Sequence, residues 1–164
     1  MAYNLKDSLN KDFQAENPTL YHLSQSQYDT MLPVLEDLWD KLLNKGFTKE
    51  QAAGIIGNAI LESKLDSSLR GGIFQFRGPN LKYYNSHYPD YSLDNQIDFL
   101  LKWKDGEMKE PEGWYHDTTR TYNKSDHSTP ESSAQAFYIT FEKANNGTDK
   151  LRQNYARRVY DYFT

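Results

Sequence analysis

The stretch FTKEQAAGIIGNAILESKLDSS, residues 47–68, constrains the fold more than any other part of the chain. Thr48 with Gln51 three positions on is a capping-box pattern, and Phe47 can staple onto Ala52, so a helix is expected to start at Lys49 and run to Ser63. At roughly 100° per residue, Ala52, Ala53, Ile56, Ala59 and Ile60 share one face, while Ile55, Asn58 and Glu62 share an adjoining one. Gly54 and Gly57 lie inside this helix, where each costs roughly 1 kcal/mol relative to alanine. Their presence points to another backbone, or a ligand, passing close by. The helix is therefore expected to be central and crowded, with Glu62 at the edge of its buried stripe.

Four other helices follow from apolar periodicity. YDTMLPVLEDLWDKLLNKG puts Met31, Leu35, Leu38, Trp39 and Leu42 at helical spacing, with Gly46 at its C-terminal cap. Ser92 caps a helix whose apolar face is Leu93, Ile97, Leu100 and Leu101. Thr129 caps the next, with Pro130 at its first position and a stripe of Ala134, Phe137, Tyr138 and Phe141. The last uses Leu151, Tyr155, Val159 and Tyr162. Two segments break the pattern. LRGGIFQFRGPN alternates briefly between paired glycines and Gly78-Pro79, as a small hairpin or extended turn does. Residues 104–129 are too polar for core and too long for a plain connector, so they read as a mobile or binding loop, its aromatics Trp114, Tyr115 and Tyr122 anchoring it to the core or, as the alternative, stacking on sugar rings. A chain of 164 residues suits one domain. Residues 1–27 are expected to be an N-terminal arm or linker, with a polar arm, a docking segment and one short helix all open for residues 1–23, and residues 28–164 the domain itself.

Composition closes several routes. There is no cysteine, which excludes a disulfide scaffold, a thiolate zinc site and a thiol nucleophile. The four histidines, His22, His87, His116 and His127, form no metal-binding spacing, so neither a metal nor another cofactor is expected. A net charge of −4 argues against a nucleic-acid partner. The cluster Lys150, Arg152, Arg157 and Arg158 reads as a solvated helix face. No apolar run is long enough for membrane insertion, and the first twenty residues have no signal-peptide pattern. Action outside a cell would then need carriage on a particle, or a separate export or lysis route.

Glu62 stands near the negative end of its helix among apolar neighbours, and both influences favour the protonated carboxyl that a general acid uses at neutral pH. The plainer reading is a surface glutamate paired with a lysine. Periodicity alone leaves both open.

The ordered set GFTKEQAAGIIGNAILESKLD, GGIFQF, SLDNQIDFL and SAQAFYITFE resembles the phage tail-type lysozymes of the lysozyme and lytic-transglycosylase superfamily, over about residues 28–163. That resemblance implies a mainly α, lysozyme-like α+β fold, in which a small β-hairpin forms one wall of a substrate groove. It implies a muramidase cleaving the β-1,4 bond between N-acetylmuramic acid and N-acetylglucosamine, with Glu62 as the catalytic acid. Ser63, Gln75, Phe76 and Glu142 are then the substrate-binding candidates, Phe76 flanking Gln75 while Phe74 points to the other side of an extended segment. Where the transglycosylases carry an Ala-Tyr-Asn motif, AFYITFE stands instead. A lytic transglycosylase, or a non-catalytic glycan-binding or tail-assembly domain of the same fold, remains as an alternative. The second carboxylate that a glycosidase usually needs is open among Asp66, Asp94, Asp98 and Glu142. The partners implied are peptidoglycan glycan strands and, for a virion component, a tail assembly. The place of action is the bacterial cell wall.

Overall fold

The computed structural model describes residues 3–16, 22–108, 114–142 and 147–164. In chain order its elements are α1 (Leu5–Glu16), α2 (Gln25–Asn44), α3 (Lys49–Ser63), α4 (Gly78–His87), α5 (Leu93–Lys104), α6 (Trp114–Lys124), α7 (Pro130–Phe137), a π-helical turn Tyr138–Glu142 continuing α7, and α8 (Asp149–Phe163). The protein is mainly helical, and no strand occurs among the described residues.

Helix α3 is the axis. Its capping box forms as expected: Gln51 N donates to Thr48 Oγ1 at 3.1 Å, and Thr48 N donates to Gln51 Oε1 at 3.0 Å. Both internal glycines face backbone. A Cβ on Gly54 would lie 2.7 Å from Ala134 N of α7, and one on Gly57 would lie 2.7 Å from Ala156 N and 2.8 Å from Arg152 O of α8. The two glycines thus let α7 and α8 close onto α3 at backbone distance, the reason two weak helix formers sit mid-helix. Asn58, fully buried between them, donates through Nδ2 to Gly54 O at 2.9 Å and Ala134 O at 3.0 Å.

The caps at Ser92 and Thr129 form, and the stripes of α2 and α7 are buried. Three expectations need correction. First, the hairpin is replaced by a compact turn. Gly71, Gly72 and Gln75 all take positive φ, Phe76 N donates to Gly71 O at 2.8 Å, and Gln75 N donates to Gly72 O at 3.1 Å. The Ile73 N–H, which a partner strand would have taken, donates instead to Gln96 Oε1 of α5 at 2.9 Å. Since the segment is not extended, side chains do not alternate sides: Phe74 and Phe76 both enter the core, their rings 5.9 Å apart and both against Phe141.

Second, much of the 104–129 stretch is helix α6. It is tied down by Thr119 Oγ1 donating to Trp103 O at 2.6 Å and Asn123 Nδ2 donating to Lys104 O at 2.8 Å. Tyr122 is buried and anchors it, whereas the side chains of Trp114, Tyr115 and His116 lie outside the described residues. Third, of the readings open for the segment before residue 28, the docked short helix is the one that forms where it is described, in place of a loose arm. Leu5, Leu9 and Leu23 are buried, α1 packs on α8, and Asn10 bonds the Leu23 backbone in both directions, at 3.1 and 2.8 Å. The boundary at residue 27 falls inside α2, which starts after its own capping box at Ser24.

Candidate active site

Glu62 lies in the last turn of α3 with its side chain 16% exposed. Immediately after Ser63 the chain takes two left-handed steps, at Lys64 (φ 50) and Leu65 (φ 60). For residues with a Cβ these are strained, and the buried Leu65 holds them in place. The helix therefore ends abruptly beside its glutamate.

The partner of Glu62 is Arg152 of α8, whose side chain is 1% exposed. Its Nη2 donates to Glu62 Oε1 at 2.5 Å, Nη1 to Asn58 Oδ1 at 2.9 Å, and Nε to Thr148 Oγ1 at 3.0 Å. Its guanidinium carbon lies 4.7 Å from the centroid of the Tyr138 ring. A charge-assisted bond from a planar, fully buried cation sets one glutamate oxygen firmly. The other takes no hydrogen bond from a described residue.

Arg152 is the residue that reading the sequence missed. It was expected on a solvated face with Lys150, Arg157 and Arg158; instead burial among α3, the π turn and α8 makes it part of the site. A signal existed in its spacing: Arg152 is three residues from Tyr155 and seven from Val159, hence on the apolar stripe of its own helix.

Of the four carboxyls open as a second carboxylate, Glu142 is the last residue of the π turn. Its Oε1 is buried with no hydrogen-bond partner among the described residues. Burial pushes this carboxyl well above the ordinary range, the negative charge of Glu62 adds to the push, and Arg152 and Arg77 oppose it. Glu142 thus lies in the field of both Glu62 and Arg152. The other three candidates are engaged locally. Asp66 closes a turn on Ser68, with bonds of 3.0 Å from its N and 2.6 Å from its Oγ. Asp94 pairs with Lys41 at 2.7 Å, and Asp98 takes Tyr88 Oη at 2.7 Å and Lys102 Nζ at 3.0 Å. Asp94 and Asp98 line an open cavity of about 450 Å³ with Lys41, Asn44 and Lys45, and Glu62 is not in its lining.

The remaining candidates are mostly committed to structure. Ser63 Oγ is buried and donates to Ile73 O at 2.7 Å, fastening the end of α3 to the turn 71–76. Gln75 is half-buried and turns its amide back on its own turn, Nε2 donating to Gly72 O at 2.8 Å. Phe76 is buried, stacked on Tyr84 at 4.8 Å, and so packs in the core instead of flanking a groove. Its expected place depended on an extended segment that does not form. No group of three or more metal-binding side chains occurs among the described residues. His127 is held between Ser133 Oγ and Tyr122 O, at 2.8 and 2.7 Å.

A buried arginine, a glutamate it orients, and a second carboxyl held in a poorly solvated place form an arrangement suited to acid–base chemistry on a neutral substrate. No curated protein and no solved structure matches the chain. The family model for phage tail lysozymes matches residues 34–163, a span that contains Glu62, Glu142 and Arg152. The chain belongs to the phage tail lysozyme family.

Proposed function

We propose that this protein cleaves the β-1,4 bond between N-acetylmuramic acid and N-acetylglucosamine in peptidoglycan, with Glu62 delivering the proton to the leaving glycosidic oxygen. The observation that supports this reading best is the bond from the buried Arg152 to Glu62 in the last turn of α3, inside the span matched by the family. Two carboxyls in unlike surroundings are what glycoside hydrolysis uses: one supplies a proton, and the other manages charge as the C1–O bond breaks. Arg152 holds Glu62 in one orientation, so little ordering remains to be done when substrate arrives. Water, or an internal sugar hydroxyl, then completes the reaction at C1. In this reading Ser63 sets the position of the turn 71–76, and Gln75 is the residue of that turn able to offer a polar group to an N-acetyl amide after it rotates. No cofactor takes part. The place of action is the bacterial wall, reached as part of a virion tail or by a separate export or lysis route.

The test is digestion of purified peptidoglycan with the wild-type protein and with Glu62→Gln, followed by mass spectrometry of the released fragments. Reducing muramic ends from the wild type, and a loss on the order of 10²-fold or more in the variant, are expected. Anhydromuramic ends would reassign the second half of the reaction to a transglycosylase. A fully active Glu62→Gln protein would sink the assignment, and no release by the folded wild type would leave a glycan-binding or assembly domain.

A further inference from the structure

An arginine has two edges by which it can take both oxygens of a carboxylate, Nε with Nη2 and Nη1 with Nη2. Arg157 uses the first, its Nε and Nη2 donating to Glu131 Oε1 and Oε2 at 2.6 and 2.8 Å. Arg152, earlier on the same helix, has neither edge free for Glu62. Its Nε donates to Thr148 Oγ1 at 3.0 Å and its Nη1 to Asn58 Oδ1 at 2.9 Å, which leaves Nη2 to make one bond to Glu62 Oε1 at 2.5 Å. Both blocking groups are themselves held. Asn58 is fully buried, and its Nδ2 donates to Gly54 O at 2.9 Å and Ala134 O at 3.0 Å. Turning the amide over would set its oxygen against two carbonyls and its nitrogen against a guanidinium, so its acceptor has to face Arg152. Thr148 precedes α8, where a threonine hydroxyl ordinarily caps a helix N–H; here no side-chain cap bond forms and the hydroxyl accepts from Arg152 instead. The flat face of the guanidinium lies on Tyr138, its carbon 4.7 Å from the ring centroid. Neutral groups thus fix the cation on three sides, and the second oxygen of Glu62 takes no hydrogen bond from a described residue.

We infer that Asn58 and Thr148 are positioning residues that hold the Arg152–Glu62 pair to a single bond and so reserve the second oxygen of Glu62 for the substrate. The restraint on the arginine stands on the bonds above, and its consequence for catalysis rests on the proposed role of Glu62. A carboxyl that delivers a proton to a glycosidic oxygen needs one oxygen that the protein leaves unengaged. A two-point clasp of the kind seen at Arg157 would orient Glu62 equally well but occupy both oxygens. Neutral acceptors suit the task, because a carboxylate at either place would draw the cation away from Glu62. Asn58 also ties the site to the helical frame: its donors grip backbone of α3 and α7, so the direction of Arg152 is inherited from the packing of those two helices.

The test is a set of crystal structures of the intact protein, wild type, Asn58→Ala and Thr148→Val, with glycan cleavage measured per folded molecule on soluble, uncross-linked peptidoglycan strands. Asn58→Ala opens the Nη1–Nη2 edge and Thr148→Val the Nε–Nη2 edge. In each variant the guanidinium is expected to turn and take both oxygens of Glu62, while the Arg157–Glu131 pair stays as it is in all three proteins. With that change kcat should fall about tenfold to 10²-fold at nearly constant KM, because the lost oxygen is needed as the proton moves. A single Arg152–Glu62 bond retained in either folded variant would overturn the inference for the residue replaced. A two-point clasp that leaves kcat intact, or a loss confined to KM or to the folded fraction, would overturn it for both. Ala134 O also accepts from Tyr138 N, so removing the Asn58 amide strands no carbonyl there. Should Asn58→Ala nevertheless fail to fold, Thr148→Val decides alone. Two-point clasps in the variants of a wild type that cleaves no glycan would sink the proposed function and keep the restraint on Arg152.

Discussion

Two of the three arginines of helix α8, Arg152 and Arg157, stand five residues apart and are each paired with a glutamate, and the two pairs differ in nearly everything else. Arg157 meets Glu131 of α7 through both oxygens, at 2.6 and 2.8 Å, with side chains 37% and 33% exposed. Arg152 meets Glu62 through one, at 2.5 Å, with side chains 1% and 16% exposed. By geometry alone the first pair is the better bridge. In solvent, however, such a pair contributes about 0–1 kcal/mol, because water and salt compete for both ends. The buried pair meets far less of that competition, and losing Glu62 strands Arg152 in a poorly solvated place. Burial, more than the number of contacts, separates a surface clasp from a pair on which the fold depends.

The largest test of that contrast replaces each arginine by methionine, which keeps length and removes charge. Arg152→Met should cost about 3–5 kcal/mol in chemical denaturation, with wall-degrading activity falling on the order of 10²-fold in whatever fraction remains folded. Arg157→Met should cost less than about 1 kcal/mol, and that cost should shrink further in high salt. Equal losses at the two sites would erase the distinction drawn here.

Moving the backbone under Arg152 gives the next effect. A methyl on Gly57 would press on Arg152 O and Ala156 N, both under 3 Å away from where its Cβ would stand, so Gly57→Ala should cost about 1–3 kcal/mol or more by overpacking. Gly46→Ala is the control, because at φ +90 that position is strained for a Cβ but meets no neighbouring atom. About 1 kcal/mol is expected there. Thermal unfolding of the two variants should differ, and Gly57→Ala alone should also lower activity.

A smaller effect concerns pH and follows from Glu142. Its folded-state carboxyl is raised by burial first and by Glu62 second, so in the window above the unfolded value of about 4.3 the folded protein binds the extra proton. The stability this group contributes is full below that value and is lost as pH rises through the raised one. A glutamine there does not titrate. Denaturation midpoints of Glu142→Gln relative to wild type should therefore improve as pH rises above the unfolded value and level off only above the raised one. A difference independent of pH would show that Glu142 titrates alike in the folded and unfolded chains.

The parts of this protein that were legible in its sequence are those governed by neighbours along the chain. Thr48 and Gln51 cap α3 because both bonds close within four residues, and Ser92 and Thr129 behave likewise. The glycine pair announced a close backbone, and the position of Glu62 at the edge of an apolar stripe made it a candidate. The failures share the opposite property. The Gly71–Phe76 turn resembles a hairpin until Gln96, more than twenty residues away, takes the Ile73 N–H. Phe76 followed that error into the core. Helix α6 is polar enough to pass for a loop, and what holds it is the backbone and ring of Trp103.

The sequence by itself determined the helical frame, its caps and the central place of α3, since propensity, periodicity and capping act over one or two turns. Tertiary structure alone decided the site. It brought Arg152 across ninety positions to Glu62, used the Gly57 gap to let α8 approach that closely, and set the Glu142 carboxyl in the same field through a π turn that no periodicity announces. The physical reason is that charge acts through space and through whatever medium lies between. Whether a carboxyl holds a proton, or an arginine directs a reaction, depends on how far water has been excluded, and that is settled only when distant segments close on one another.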